Sequence, residues 1–123
     1  MRNFSAIIIL LLCCAVTLAV AGCGKAEVFG KEVPGAEGAS VGDIYKNSKA
    51  YNGKDVVIEG KITSECPTGC WFNVNDASGE IYVDLNPSGF AIPQKVGKKV
   101  SVSGKVVVKK GNPTIIGKEV SIK

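Results

Sequence analysis

The chain contains 123 residues, with 15 basic against 11 acidic side chains, a formal net charge of +4, five cysteines and no histidine. The missing imidazole excludes Ser–His and Cys–His nucleophilic centres and leaves acid–base chemistry to Asp and Glu, among which no paired-carboxylate signature stands out. No catalytic residue, cofactor or metal is therefore expected, and the chain reads as a binding module rather than an enzyme.

At the amino end, Arg2 precedes an apolar run from Ala6 to Ala21, "AIIILLLCCAVTLAVA", broken only by Thr17. This is the layout of a secretory signal peptide. Its end, Val20-Ala21-Gly22-Cys23, resembles the lipobox of bacterial lipoproteins, which implies cleavage after residue 22 and a lipid on Cys23. Cys13 and Cys14 lack the small preceding residue and leave with the signal. The alternative is an uncleaved span from Phe4 to Gly22, close to the roughly 20 apolar residues a bilayer requires. Either way the remainder faces away from the cytoplasm in the cell envelope, on the outer membrane if the cell has one. A diacylglycerol thioether plus an amino-terminal acyl chain, at about 0.8 kcal/mol per buried methylene, makes a stable membrane anchor.

Beyond residue 22 there are 14 lysines and 11 acids, a net charge of +3. Residues 23–40 combine the lipidated cysteine with a glycine-rich stretch, "GKAEVFGKEVPGAEGAS", expected to be a flexible tether spanning about 20 to 25 Å. Residues 41–123 form the domain, near the lower size limit for a self-sufficient core. Ser40 precedes Val41, Ile44, Tyr45 and Ser48 at helical spacing, and Asp43 completes an imitation of a capping box, which predicts one short helix over Val41 to Ala50.

Two strands then begin alike. "NGKDVVIEGKITSE" (52–65) and "VGKKVSVSGKVVVK" (96–109) share a Gly-Lys, aliphatic alternation, Gly-Lys pattern. Val56, Ile58 and Ile62 hold one parity, as do Val100, Val102, Val106 and Val108, the period of half-buried strands. Gly60 and Gly104 fall on that same buried parity, where a glycine lets a strand bend sharply. Between these strands lie "CWFNVND" and "EIYVDL", a hairpin with Gly79 in its turn, and after "KKGNP" the strand "TIIGKEVSIK" ends the chain. One helix and five strands, with a longer connection "NPSGFAIPQ" after the third, predict an all-β fold: a five-stranded Greek-key barrel of the OB type, with an SH3-like barrel as the alternative.

The runs "GDIYKNSKAYNGKDVVIEGKIT", "FNVNDASGEIYVDL" and "GKKVSVSGKVVVKKGNPTIIGKEVSI" resemble bacterial OB-fold domains grouped with tRNA-anticodon-type nucleic-acid binders. The segment "CPTGCWFNV" is similar to a small family of exported bacterial proteins with a Cys, Gly-Cys-Trp motif and slightly wider cysteine spacing. The first resemblance implies a fold more than a ligand, because OB folds bind nucleic acids, sugars and proteins alike.

Cys66 and Cys70 are the only thiols left after processing and lipidation, in a compartment where pairs oxidise. A structural disulfide closed by the turn residues Pro67 and Gly69 is the main expectation, with a redox pair or a copper(I) site as alternatives. Parity buries Phe72, Val74, Ile81, Val83 and Leu85, and turns Trp71, Asn73, Asn75, Tyr82 and Asp84 outward. Trp71 and Tyr82 are candidates to stack a base or sugar, or else Trp71 packs over the cysteine loop.

Charge is asymmetric: residues 24–94 carry six lysines and ten acids, whereas 95–123 carry eight lysines and only Glu119. Lys109 and Lys110 are expected to overhang the aromatic face and contact an anionic ligand, opposed by Glu59, Glu80 and Asp84. Lys105 and Lys118 read as edge-blocking lysines. The expected ligand is single-stranded nucleic acid or an envelope polyanion such as lipopolysaccharide. The alternative is an envelope protein-interaction module with Cys66 and Cys70 as a redox or metal handle.

Overall fold

The computed structural model describes residues 26–123, so the expected signal peptide and the expected lipidation site at Cys23 lie outside the described residues. Seven strands and two short α-helical segments follow in order: β1 (Glu27–Gly30), β2 (Glu37–Gly38), α1 (Val41–Lys46), α2 (Ser48–Tyr51), β3 (Asp55–Glu65), β4 (Trp71–Asn75), β5 (Glu80–Asp84), β6 (Lys99–Lys109) and β7 (Asn112–Ile122), with one 3-10 turn, Asn86–Ser88, between β5 and β6. Among the described residues no helix is long and apolar enough to cross a membrane.

The architecture is predominantly β and mostly antiparallel. The first half of β3 pairs with β6, from Asp55↔Lys105 to Lys61↔Lys99, and its second half with β4, from Lys61↔Asn75 to Glu65↔Phe72. β4 pairs with β5, β6 with β7, and a short parallel contact, Val83↔Ile115 and Asp84↔Ile116, joins β5 to β7. The alternation read from the sequence holds: Val56, Ile58, Ile62, Phe72, Val74, Ile81, Val83, Val100, Val102 and Val106 are all buried, with Leu85. Burying a side chain of this size contributes about 1.5 to 3 kcal/mol, which gives so small a domain its core.

Gly60 and Gly104 lie where neighbouring strands approach closely. A β-carbon on Gly60 would run into the Asn75 carbonyl, and one on Gly104 into the Ile116 carbonyl. Glycine at these two buried-parity positions thus has a steric basis.

Three expectations change. The segment read as a tether is ordered from β1: Glu27↔Ile122 through Gly30↔Glu119 add it to the edge of β7, and β2 adds in parallel to β3 at Glu37↔Val56. Four residues with a single half-buried phenylalanine, Phe29, carry too little periodicity to be read as a strand; the backbone groups of β7 supply the ordering. The folded unit thus starts before Val41. The single helix is two segments, interrupted at Asn47, whose φ of −121° and ψ of 40° leave the helical region. In the β4–β5 turn the left-handed residue is Ala77 (φ 76°), not Gly79. Asn75 Oδ1 accepts the Ala77 N–H at 3.0 Å, and Gly79 is small because a β-carbon would press within 3.3 Å of Val41 Cγ1.

That turn also docks α1. Asp76 Oδ2 accepts the Val41 N–H at 2.8 Å, Ser78 Oγ accepts the Gly42 N–H at 2.8 Å, and Ser40 Oγ accepts the Asp43 N–H at 3.1 Å. Three amide donors that a helix start leaves without intrahelical partners are thus satisfied, two of them from 35 or 36 residues away. The Tyr45 hydroxyl donates to the Glu80 carbonyl at 2.9 Å, and Val41 and Ile44 are fully buried.

Burial raises the Asp76 pKa, but hydrogen bonds from the Ser78 hydroxyl and the amides of Val41, Ser78 and Gly79 outweigh it, holding the carboxyl below its ordinary 3.8. Asp76→Ala should cost about 1 to 2 kcal/mol. Because the folded pKa is depressed, the wild-type contribution is present above the ordinary value and lost as pH falls through the folded one. Thermal melts at neutral and acidic pH should therefore converge for wild type and variant as acid is added. A constant gap down to low pH would contradict this role.

Candidate ligand-binding face and cysteine loop

The outward residues of β4 and β5 form one face. Trp71 pairs with Asp84 and Asn73 with Tyr82, so the two aromatic rings are diagonal neighbours across the strands. They stack on one another, with centroids 5.5 Å apart and planes at 28°. Trp71 is half-buried and Tyr82 exposed, leaving ring surface available to solvent. Burial, then the Asp84 carboxylate and the Cys70 and Cys66 thiols, push the Tyr82 phenol above its usual range. It remains a neutral hydrogen-bonding group at neutral pH.

The polar residues of the face are already engaged. The Asn73 amide donates to Ser64 Oγ at 2.8 Å, Asp84 Oδ1 accepts the Asn86 N–H at 3.0 Å, and Glu80 accepts from the Thr63 hydroxyl. Of the acids expected to oppose a polyanion, Glu80 and Asp84 are held by neighbours, whereas Glu59 is exposed on β3.

Where the face continues onto β3 and β6 it becomes basic. A cleft of about 430 Å³ is lined by Lys61, Lys99 and Lys123, with the two acids Glu59 and Asp76 and the polar Asn75 and Ser101. Lys61 pairs with both Asn75 and Lys99, which connects the cleft to the aromatic strands through adjacent rows of the sheet. These lysines were not singled out from the sequence. The available signal was the Gly-Lys repeat itself, since the glycine at position 60 leaves room beside Lys61.

Lys109 and Lys110 lie elsewhere. β6 runs antiparallel to β3, with Asp55↔Lys105, so the β6–β7 turn projects past the start of β3, where the Val108 N–H meets Asn52 Oδ1 at 3.1 Å. The cysteine loop follows Glu65, at the other end of the same strand. The expected overhang of these lysines on the aromatic pair is therefore replaced by the Lys61–Lys99–Lys123 cluster. Lys105 is exposed but lies on a strand paired on both sides, opposite Asp55 on β3 and Ile116 on β7, so it guards no free edge, and Lys118 reaches Asp55 at 3.4 Å in an ion pair.

Cys66 and Cys70 are brought together as free thiols, with sulfurs 2.8 Å apart. The loop between them is held by its backbone. The Gly69 N–H donates to the Cys66 carbonyl at 2.8 Å, the Cys66 N–H to the Trp71 carbonyl at 3.0 Å, and the Leu85 N–H to the Cys70 carbonyl at 2.9 Å. The connection to β6 wraps over it: the Ile92 N–H donates to the Gly69 carbonyl at 3.1 Å, Gln94 Nε2 donates to the Pro67 carbonyl, and Glu65 Oε1 accepts the amides of Lys95 and Val96. Among the described residues no group of three or more His, Cys, Asp or Glu side chains is placed to hold a metal.

No protein-family profile matches the chain, and no curated sequence is similar to it. Solved structures are. The hypothetical protein ygiW from E. coli is 20% identical with a TM-score of 0.57, over 77% of this chain and 99% of that one. The Stn1–Ten1 complex of S. pombe gives a TM-score of 0.50 at 13% identity, over 71% of this chain and 75% of that one. At such identities the likeness is one of fold alone, and it agrees with an OB-fold-like, mostly antiparallel β domain.

Gly69 tests the loop architecture directly. Its φ is +73°, and a β-carbon there would strike the Ile92 carbonyl. Gly69→Ala should cost about 1 to 3 kcal/mol and free the 86–98 connection, visible as faster amide exchange at Ile92. Unchanged stability and exchange would show that the loop and the connection are not coupled.

Proposed function

We propose that the five long strands close as the Greek-key barrel of an OB fold, and that the domain is a binding module for a flexible anionic chain carrying planar rings. Single-stranded nucleic acid is the ligand class that fits best. The observation that carries this reading is the stacked Trp71–Tyr82 pair on an outward face that runs into a three-lysine cleft. Aromatic surface takes up bases without regard to sequence, and lysines track the phosphates. The β2–β3 face of OB barrels, here β4 and β5, is where such ligands generally lie. Asn73 braces Trp71's strand against Ser64 and would not need to contact the ligand.

On this reading the protein acts without catalysis, from the cell envelope, held by lipid on Cys23. An envelope polyanion without aromatic groups would use the lysine cleft but not the stack, which separates the two ligand sources experimentally.

Trp71 is the only tryptophan in the chain, so its fluorescence reports directly. A single-stranded oligonucleotide should quench it, and Trp71→Ala should weaken binding roughly tenfold, in keeping with about 1 to 3 kcal/mol per stacked base. Lys61→Ala with Lys99→Ala should reduce the slope of log affinity against log salt by about 1.4, at 0.7 per phosphate contact on a single strand. Binding of polyphosphate with no Trp71 quench would assign the ligand to the polyanion class. Absence of binding to either at low salt would overturn the reading in favour of a protein-interaction module. Labelling of cells with a palmitate analogue should depend on Cys23, and label retained in Cys23→Ser would contradict the anchor.

A further inference from the structure

Beside the aromatic face, and independent of whatever that face binds, the loop from Cys66 to Cys70 holds its two sulfurs within reach of a bond, 2.8 Å apart. Its turn is fixed by the Gly69–Cys66, Cys66–Trp71, Ile92–Gly69 and Leu85–Cys70 backbone hydrogen bonds. A disulfide here would have little left to staple, and a five-residue loop restricts the unfolded chain only modestly in any case.

The sulfurs themselves are organised. The Cys70 thiol donates to Cys66 Sγ at 2.8 Å, and the Thr68 hydroxyl lies 3.1 Å from Cys66 Sγ and 3.5 Å from Cys70 Sγ. Both cysteines are only half-buried and Pro67 and Thr68 are exposed, so a partner can reach the pair. Hydrogen bonds from the Cys70 thiol, the Thr68 hydroxyl and the backbone amides of Thr68 and Cys70 lower the Cys66 pKa from 9.0 to about 6. Groups that stabilise a thiolate stabilise the reduced pair against the disulfide and make the thiolate a better leaving group.

We propose that Cys66 and Cys70 form a reversible dithiol–disulfide pair that exchanges with disulfides of other proteins, Cys66 being the sulfur that attacks and is attacked. In the reducing direction the Cys66 thiolate attacks one sulfur of the substrate disulfide. A Cys66–substrate bond forms as the substrate S–S bond breaks, and the other substrate sulfur leaves as thiolate. Cys70 gives its proton to solvent and attacks Cys66, forming the Cys66–Cys70 bond and releasing the second substrate thiolate. Two electrons pass from the pair to the substrate, and the reverse sequence oxidises a substrate dithiol. The ionisable neighbours are Tyr82 and Asp84 on β5 and Glu65 at the end of β3, while the Lys95 ammonium in the connection is turned to Glu27; Tyr82 is charge-coupled to both cysteines.

The test uses the full-length protein in detergent, with oxidised and reduced glutathione as the probe couple. At pH 6 the Cys66 thiolate fraction is about half, against about 0.1% for an ordinary thiol, and its lower nucleophilicity returns roughly 20-fold of that advantage. Cys66 of the folded protein should therefore react with iodoacetamide roughly 20-fold faster than in the urea-unfolded chain, with the folded rate half-maximal near pH 6. Oxidised glutathione should close the Cys66–Cys70 bond, millimolar reduced glutathione should reopen it in the folded state, and Cys70→Ser, which keeps a hydrogen-bond donor, should accumulate a glutathione adduct on Cys66. A folded-state disulfide that resists millimolar reduced glutathione would overturn the proposal in favour of a static staple. So would a Cys66 rate no faster than in the unfolded chain, a measurement that needs no variant to fold.

Discussion

At Gly60 the backbone of β3 passes so close to the Asn75 carbonyl that any side chain there would displace the neighbouring strand. This contact lets one eleven-residue strand serve two partners, β6 along its first half and β4 along its second. Because both pairings meet at Lys61, the aromatic strands and the basic strands share a surface, and the cleft beside Lys61 lies at their junction. Gly104 does the equivalent for β6 against β7 at Ile116. Glycine costs about 0.5 to 1 kcal/mol relative to alanine in a strand interior, a small penalty beside the loss of the pairing that a β-carbon would block.

With β3 shared between two partners, its two ends acquire different work. Its start lies near the helical segments and the β6–β7 turn, where Asn52 accepts the Val108 amide, the Gly53 N–H donates to the Val106 carbonyl and the Lys54 carbonyl accepts the Val106 N–H. At its other end, Glu65 accepts two amides of the 86–98 connection with one carboxylate oxygen, and that connection covers the cysteine loop. The hydrogen bonds that shape the loop are therefore those of the fold. For this reason the thiol pair and the Trp71–Tyr82 stack sit side by side on a rigid support, close enough for both thiols to raise the Tyr82 pKa.

Much of this was legible in the amino-acid order. The buried parity of β3 to β6 was, because alternation in strands reports directly which face meets the core; in β7 the parity changes between Gly117 and Val120, at the register shift against β6, which alternation does not reveal. The outward placement of Trp71, Asn73, Tyr82 and Asp84 followed from the same parity. What was not legible depended on long-range partners. β1 is ordered by the backbone of β7, some 90 residues further on, and a main-chain partner leaves no mark on side-chain pattern. Lys109 and Lys110 stood out as adjacent charges, yet the β6–β7 turn carries them past the far end of β3, while Lys61, Lys99 and Lys123, scattered in the chain, are gathered in one cleft. The role of Asp76 in capping α1 likewise joins residues 35 apart. The cysteine spacing indicated proximity, whereas the backbone hydrogen bonds that shape the loop, from Leu85 and Ile92, come from distant segments and leave no mark on that spacing.

The central claim, that the stacked aromatic pair and the lysine cleft form a single ligand surface, is tested most directly by amide chemical-shift mapping of the isotope-labelled protein during titration with a short single-stranded oligonucleotide. The account predicts perturbations concentrated at Trp71, Asn73, Tyr82, Lys61 and Lys99, with Lys109 and Lys110 unmoved. Shifts centred on the β6–β7 turn, with the aromatic face silent, would contradict it.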